Sequence, residues 1–256
     1  MYDVKLLDYG NELQINWYEY AIGTREEKVK NETNKWNFET CKQSDISDKQ
    51  FDTSVNEIDN KVRSTRRTKQ SIYNISRANT WDYFATFTFK EDRYNYDLCK
   101  ARLTKYLNNL RSRKCEDLEY LAVPEEHKDG AYHFHALLKG VNNDVLCASY
   151  EKGRLMFKNW NYGISQLESV KDTGKVAMYI TKYITKDFVD GVKNKRRYFC
   201  SIGVKRAEEK TIYRGDMSML EFFENHYSDY DITHQKKCVK GGYSVNYIQL
   251  KKKSHN

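Results

Sequence analysis

Apolar and polar positions fall into runs of two different periods. Residues 81–89, WDYFATFTF, alternate aromatic with small or hydroxyl side chains and predict a strand. Residues 96–115, YDLCKARLTKYLNNLRSRKC, change period. Leu98, Ala101, Leu103, Tyr106, Leu107 and Leu110 recur at helical spacing, and Lys100, Arg102, Lys105, Arg111 and Arg113 occupy the other face. Two strand-like runs follow, 118–127 and 131–139, around Asp129-Gly130, a hairpin turn signal because tight turns that match strand twist need φ > 0. Pro124 cannot donate to a ladder, which predicts an edge position or a bulge. Residues 144–162 read as helical or mixed, and 164–170, ISQLESV, as a strand. Asp172 or Thr173 can cap a helix carrying Val176, Tyr179, Ile180, Tyr183 and Ile184, with Gly191 beyond its end. A short strand is predicted at Tyr198–Ser201.

Outside this stretch the pattern is weaker. ELQINWYEYA near the N-terminus reads as a strand, and the polar stretch from 31 to 57 shows no period and reads as loop. Val62, Ile72 and Ile75 support a short helix within the basic run 61–79. The last residues, QLKKKSHN, read as a mobile basic tail. The order of elements predicts an α+β fold, a central antiparallel β-sheet with flanking helices, plus a small N-terminal extension. Residues 1–76 form that extension, 77–215 the main domain, and 216–256 a C-terminal segment.

Composition narrows the class. Hydrophobic residues make up 39%, low for a globular domain, but aromatics at 14%, including 21 tyrosines, can build a core from amphipathic rings. The net charge of +8 favours a polyanionic partner such as nucleic acid. No apolar run approaches the ~20 residues of a membrane span, and the N-terminus lacks the pattern of a secretory signal. The six cysteines are scattered without CxxC, so reduced thiols in a cytoplasm are expected. No GxxxxGK[ST] loop occurs, which argues against a P-loop ATPase.

Two constellations carry chemistry. Three of the six histidines, His127, His133 and His135, lie beside Glu125 and Glu126 in the predicted hairpin. On a strand, His133 and His135 share a face while Phe134 points to the core. Two such imidazoles can hold a divalent ion with a third ligand from the neighbouring strand. A three-residue loop sets Glu125 opposite His133, a two-residue loop sets Glu126 there, and His127 shares the face of Glu125. A His/His/carboxylate set suits Mn²⁺ or Mg²⁺, can also accept zinc or other transition ions, and leaves open positions for a substrate oxygen. The plain alternative is a surface strand with two histidines.

The second constellation is YITKYITK, residues 179–186. Tyr179 and Tyr183, and likewise Lys182 and Lys186, are four apart and so adjacent on a helix. A phenol of pKa about 10 is a poor nucleophile, but a nearby ammonium favours phenolate and stabilises charge on a phosphate under attack. A tyrosine so placed can attack a phosphodiester and hold a covalent link. The alternative is amphipathic packing in a tyrosine-rich chain.

Taken in order, FATFTF, PEEHKDGAYHFHALLKG, YITKYITK and RRYFCSIGV resemble the HUH endonucleases, and among them the rolling-circle replication initiators of single-stranded-DNA phages and plasmids. The resemblance spans roughly residues 77–206. It implies that His133 and His135 bind the ion with Glu125, that Glu126 and His127 compete as third ligand, that Tyr179 and Tyr183 are nucleophiles, and that Lys182 and Lys186 assist them. It implies a fold related to RNA-recognition-motif and polymerase-palm topology, a Mn²⁺ or Mg²⁺ cofactor, and single-stranded DNA at a replication origin as partner. A host helicase and DNA polymerase would complete the process in a bacterial cytoplasm, with no membrane involved. The rival readings are an HUH transposase or relaxase, a non-catalytic nucleic-acid-binding module, and a small-molecule metallohydrolase.

Overall fold

The computed structural model describes residues 1–23, 47–148, 154–184, 197–240 and 243–253. The chain divides into two compact units, Phe51–Arg206 and the combination of Met1–Gln50 with Ala207–Asn256. Both are built on antiparallel sheets, so the fold is α+β, with four α-helices among the described residues.

The first five strands are β1 (Tyr2–Asp8), β2 (Glu12–Ile22), β3 (Tyr83–Phe87), β4 (Glu119–Glu126) and β5 (Tyr132–Lys139). Then come β6 (Leu146–Ala148), β7 (Leu155–Phe157), β8 (Ser165–Ser169) and β9 (Phe199–Cys200). The last are β10 (Glu208–Ile212), β11 (Tyr230–Lys240) and β12 (Tyr243–Lys252). The helices are α1 (Ser47–Arg77), α2 (Tyr96–Arg113), α3 (Thr173–Ile180) and α4 (Met219–His226).

The larger unit holds a seven-stranded sheet in the order β6-β7-β8-β3-β5-β4-β9. Strand alternation gives it two chemically different faces. One carries Phe87, Phe134, Phe157 and Phe199, and α2 packs there through Tyr96 against Phe134 (ring centroids 6.1 Å apart) and Tyr106 against Phe157 (5.6 Å). The buried stripe of α2 is Tyr96, Cys99, Leu103, Leu107 and Leu110. The expected stripe is thus rotated: Leu98 is 44% exposed and Cys99 takes its place inside. Asn95 caps the helix by accepting from the Leu98 amide, which sets that rotation. Gly163 allows a close approach beside the sheet, since a Cβ there would lie 2.2 Å from the Thr88 carbonyl oxygen. Pro124 sits in β4 beyond the reach of β9, which pairs only with Leu121 and Ala122, in keeping with an edge position.

Three expectations change. Residues from Ser47 onward, within the stretch read as loop, belong to α1, which runs far beyond the short helix expected near 61–79 and buries Ile72 and Ile75. Among its described residues, the stretch 144–162, read as helical or mixed, holds strands β6 and β7 and the end of a 3-10 turn at Asn143–Val145. Its Leu146–Phe157 pairing runs along a sheet edge, where cross-strand contacts outweigh local periodicity. Of the basic tail, Gln249–Lys252 are not free but lie in β12 between β2 and β11.

The smaller unit explains that last change. Its sheet, β10-β1-β2-β12-β11, joins strands from the two ends of the chain, so the segments 1–76 and 216–256 separated by sequence reading share hydrogen bonds. Val4, Ile15, Trp17, Ile248 and Phe222 form its core, with Trp17 and Phe222 edge to face at 5.4 Å. Helix α4 is started by a capping box of Ser218 and Glu221.

The rotation of α2 is testable by urea unfolding. Leu107→Ala, at a fully buried position, is expected to cost about 2–5 kcal/mol. Leu98→Ala should change stability by no more than about 0.5 kcal/mol.

Candidate functional site

The β4–β5 hairpin positions the first group of side chains. The His127 amide donates to the Ala131 carbonyl (2.9 Å), the Gly130 amide to the His127 carbonyl (2.8 Å), and the Ala131 amide to Asp129 Oδ1 (3.1 Å). Gly130 has φ +83°, a left-handed conformation that glycine adopts without penalty. The loop is therefore 128–130, with three residues. It sets Glu125 opposite His133 and Glu126 opposite Tyr132. Glu125 thus shares the histidine face, and Glu126 lies on the other side of the pleat beside Tyr132.

On that face Glu125 Oε2 lies 2.8 Å from His135 Nε2 and 3.3 Å from His127 Nε2. The His127 and His133 rings are 3.8 Å apart between centroids. Glu125, His127 and His133 bring one donor atom each to within 4.8 Å of one another. His135 is 5% exposed, and its Nδ1 lies 3.1 Å from Thr86 Oγ1 on β3. Glu125 and His133 therefore meet as expected, but the residue converging with them is His127, while both nitrogens of His135 are engaged by Glu125 and Thr86. Phe134, between the two histidines, is fully buried on the opposite face.

Electrostatics suit this set to a cation. Burial is the main force pushing His133 and His135 below the ordinary imidazole value, so both rings favour the neutral form, and in that form His133 offers a lone pair to a cation. Burial alone would raise Glu125, but the hydrogen bond from His135 and the surrounding imidazoles outweigh it and hold the carboxyl below its ordinary value. Neutral imidazoles beside an ionised carboxylate are donors that a divalent ion can use, so the residues fit such an ion.

The tyrosines come from α3 and the turn after it. Asp172 is the N-cap, accepting from the Lys175 amide, and Thr173 is the first helical residue. The helix is shorter than expected. It ends at Ile180 and tightens into a 3-10 turn, Thr181–Tyr183, while Ala177, Ile180 and Ile184 are fully buried. Tyr183 stacks on His135 with centroids 3.5 Å apart and planes 17° from parallel. Tyr179 is 5.5 Å from Tyr183 at 86° and is 45% exposed. Phe84 of β3 touches all three rings, stacked on His135 (5.6 Å) and Tyr183 (6.2 Å) and edge-on to Tyr179 (5.3 Å). Phe84 and Thr86 were not singled out in the sequence, although the alternation in FATFTF puts both on one face. Lys182 Nζ lies over the Tyr179 ring at 5.0 Å, and Lys186 falls outside the described residues. The Tyr183 phenol is not lowered by a lysine. Burial first, then its hydrogen bond with Tyr179 and the charges of Glu125 and Glu168, push it well up.

Basic side chains elsewhere divide in role. Arg66 and Arg67 on α1 are exposed, whereas Arg197 hydrogen-bonds Ser64 and Thr68 of the same helix. Among the described residues no helix is long and apolar enough to cross a membrane.

Residues 82–188 match a family model of replication-associated proteins, the ORF2 type. The matched segment begins one residue before β3 and ends past the second tyrosine, so it contains every side chain of the site just described. The similarity supports a replication-associated protein of the Rep type, with a role in DNA replication. No curated protein and no solved structure gives a match.

The donor set predicts a split between adjacent carboxylates, measurable by titrating Mn²⁺ into the protein by calorimetry. Glu125→Gln and His133→Ala should each weaken binding at least about ten-fold. Glu126→Gln, on the other face, should leave it unchanged. Equal losses from both glutamate variants would contradict the register.

Proposed function

We propose that the protein starts rolling-circle replication by nicking one DNA strand at an origin through a covalent tyrosine link, and later rejoins it. The observation that carries this reading is the 3.5 Å stacking of Tyr183 on His135, which is itself bonded to Glu125. A nucleophile and a cation-binding cluster then face one phosphate. The family match and the basic charge support DNA as the substrate.

A divalent ion, when bound by Glu125 and His133 with His127 or His135, would act as a Lewis acid on the scissile phosphate's oxygens and offset the carboxylate charge that adds to burial in keeping Tyr183 protonated. The remaining chemistry belongs to the chain. One tyrosine oxygen bonds to phosphorus as the bond to the 3′ oxygen breaks. The phenol gives up its proton, and the departing oxygen leaves as a 3′-hydroxyl that primes a polymerase. The other tyrosine cleaves the regenerated origin after one circuit. The freed 3′-hydroxyl then attacks the first phosphotyrosine, which restores a phosphodiester and closes a circle. No ATP is needed, because the link conserves the energy of the broken bond. Lys182, and Lys186 by its spacing, would stabilise phosphate charge, and Arg66 and Arg67 would hold the DNA backbone. The chain has no P-loop, so unwinding falls to a host helicase.

The test is a nicking assay on single-stranded origin DNA with Mn²⁺ or Mg²⁺. The double change Tyr179→Phe/Tyr183→Phe should abolish the denaturation-resistant protein–DNA adduct, and His133→Ala should lose cleavage while still retaining DNA. An adduct formed by the double variant, or full cleavage in EDTA, would overturn the mechanism.

A further inference from the structure

The face that carries His135 continues across the sheet into a groove that extends beyond the side chains of the proposed chemistry. From His135 on β5 the face passes to Thr86 on β3 and then to Gln166 on β8, in direct register. Two strand spacings, about 10 Å, separate the first from the last. Beyond Thr86 lies an open groove of ≈ 740 Å³, which shares Phe84, Thr86, Tyr179 and Tyr183 with the candidate site. That volume is within the range of about 300–1,000 Å³ usual for small-ligand clefts.

The lining has the chemistry of a nucleotide. Phe84 and Tyr179 offer aromatic walls for a base. Four cationic side chains, Arg154, Lys171, Lys175 and Lys182, stand against two carboxylates, Glu168 and Asp172, which leaves the groove positive and suited to a phosphate. The floor is neither apolar nor loosely arranged. Gln166 and Glu168 are two apart on β8 and so share its face. Arg154 donates from Nη1 to Gln166 Oε1 (3.3 Å) and pairs through Nε with Glu168 Oε1 (2.7 Å). A guanidinium held at two points keeps its planar fork in a fixed orientation.

We propose that this groove is a base-reading subsite, which takes the unpaired nucleotide next to the attacked linkage and selects a purine there through Arg154 and Gln166. It rests on the single-stranded-DNA reading above and adds the residues that choose where the strand is cut. Affinity alone would need only the aromatic walls and the lysines. Oriented donors and acceptors discriminate, because a matching base can replace the Arg154–Gln166 contact with bonds of its own and a mismatched base cannot. The choice of purine follows from geometry: arginine forks onto O6 and N7 of guanine, glutamine onto N6 and N7 of adenine, and both edges belong to purines.

The experiment uses the full chain and a randomised single-stranded 12-nucleotide library in EDTA, so that retention is read without cleavage. Retained strands are sequenced. The wild type should enrich purines about ten-fold over pyrimidines at one position of the recovered motif. Gln166→Ala and Arg154→Lys should each cut that preference to about two-fold or less, with neighbouring positions unaffected. Arg154→Lys keeps the charge and separates base reading from simple attraction. An unchanged preference in both variants, a pyrimidine at that position, or an equal loss at all positions would overturn the subsite while leaving DNA binding intact. Failure of the wild type to retain any strand would instead remove the DNA reading and the subsite together.

Discussion

The candidate site depends on where one carboxylate stands. Glu125 Oε2 touches His135 and His127 at once, and His135 in turn supports the ring of Tyr183. This contact exists only because the hairpin loop has three residues. A shift of one residue in the β4–β5 pairing would carry Glu125 through the sheet to the face now held by Glu126. Gly130, with its positive φ, and the Asp129 side chain that accepts from Ala131 enforce the loop. Two small turn residues thereby decide which acid meets the histidines.

Much of this was legible in the sequence, and for a definable reason. Strand alternation is local, so the placement of His133 and His135 on one face and Phe134 on the other could be read without coordinates. The four-residue spacing of Tyr179 and Tyr183 was readable in the same way. Loop length was not, because Lys128-Asp129-Gly130 admits both two- and three-residue closures. The role of His127 follows from that length, so it stayed one candidate among three. Nor could local pattern reveal the end of α3. The stretch from Val176 to Ile184 is evenly helical in sequence, yet burial of Ala177, Ile180 and Ile184 accompanies a tighter 3-10 turn after Ile180. Here packing overrides propensity.

The smaller unit shows the same limit at longer range. ELQINWYEYA was recognisable as a strand, but nothing within it names its partner. Leu13 and Ile15 pair with Leu250 and Ile248, from the opposite end of the chain. A run such as QLKKK looks like a solvated tail when read alone. It becomes a strand because alternate residues, Ile248 and Leu250, enter a core with Trp17 and Phe222. Long polar stretches near chain ends are therefore weak evidence of disorder when apolar residues recur at every second place.

The two faces of the seven-stranded sheet are coupled in a way that bears on chemistry. Phe134 is fully buried among Phe89, Tyr96 and Phe199, and it is the residue between the two histidines. A well-packed interior does not let such a ring turn without moving its neighbours. Its immobility fixes the backbone on which His133 and His135 are mounted. Thr86 is held in the same manner by buried Ala85 and Phe87 on either side. On this face His133, His135 and Thr86 each alternate with a core anchor on their own strand. In the proposed reaction Glu125 would release an imidazole to a cation and Tyr183 would leave His135, while the strands beneath stay in place. A site made by alternation on a sheet sealed from behind is rigid in position and adaptable in contact, as the proposed cutting and rejoining of one strand would require.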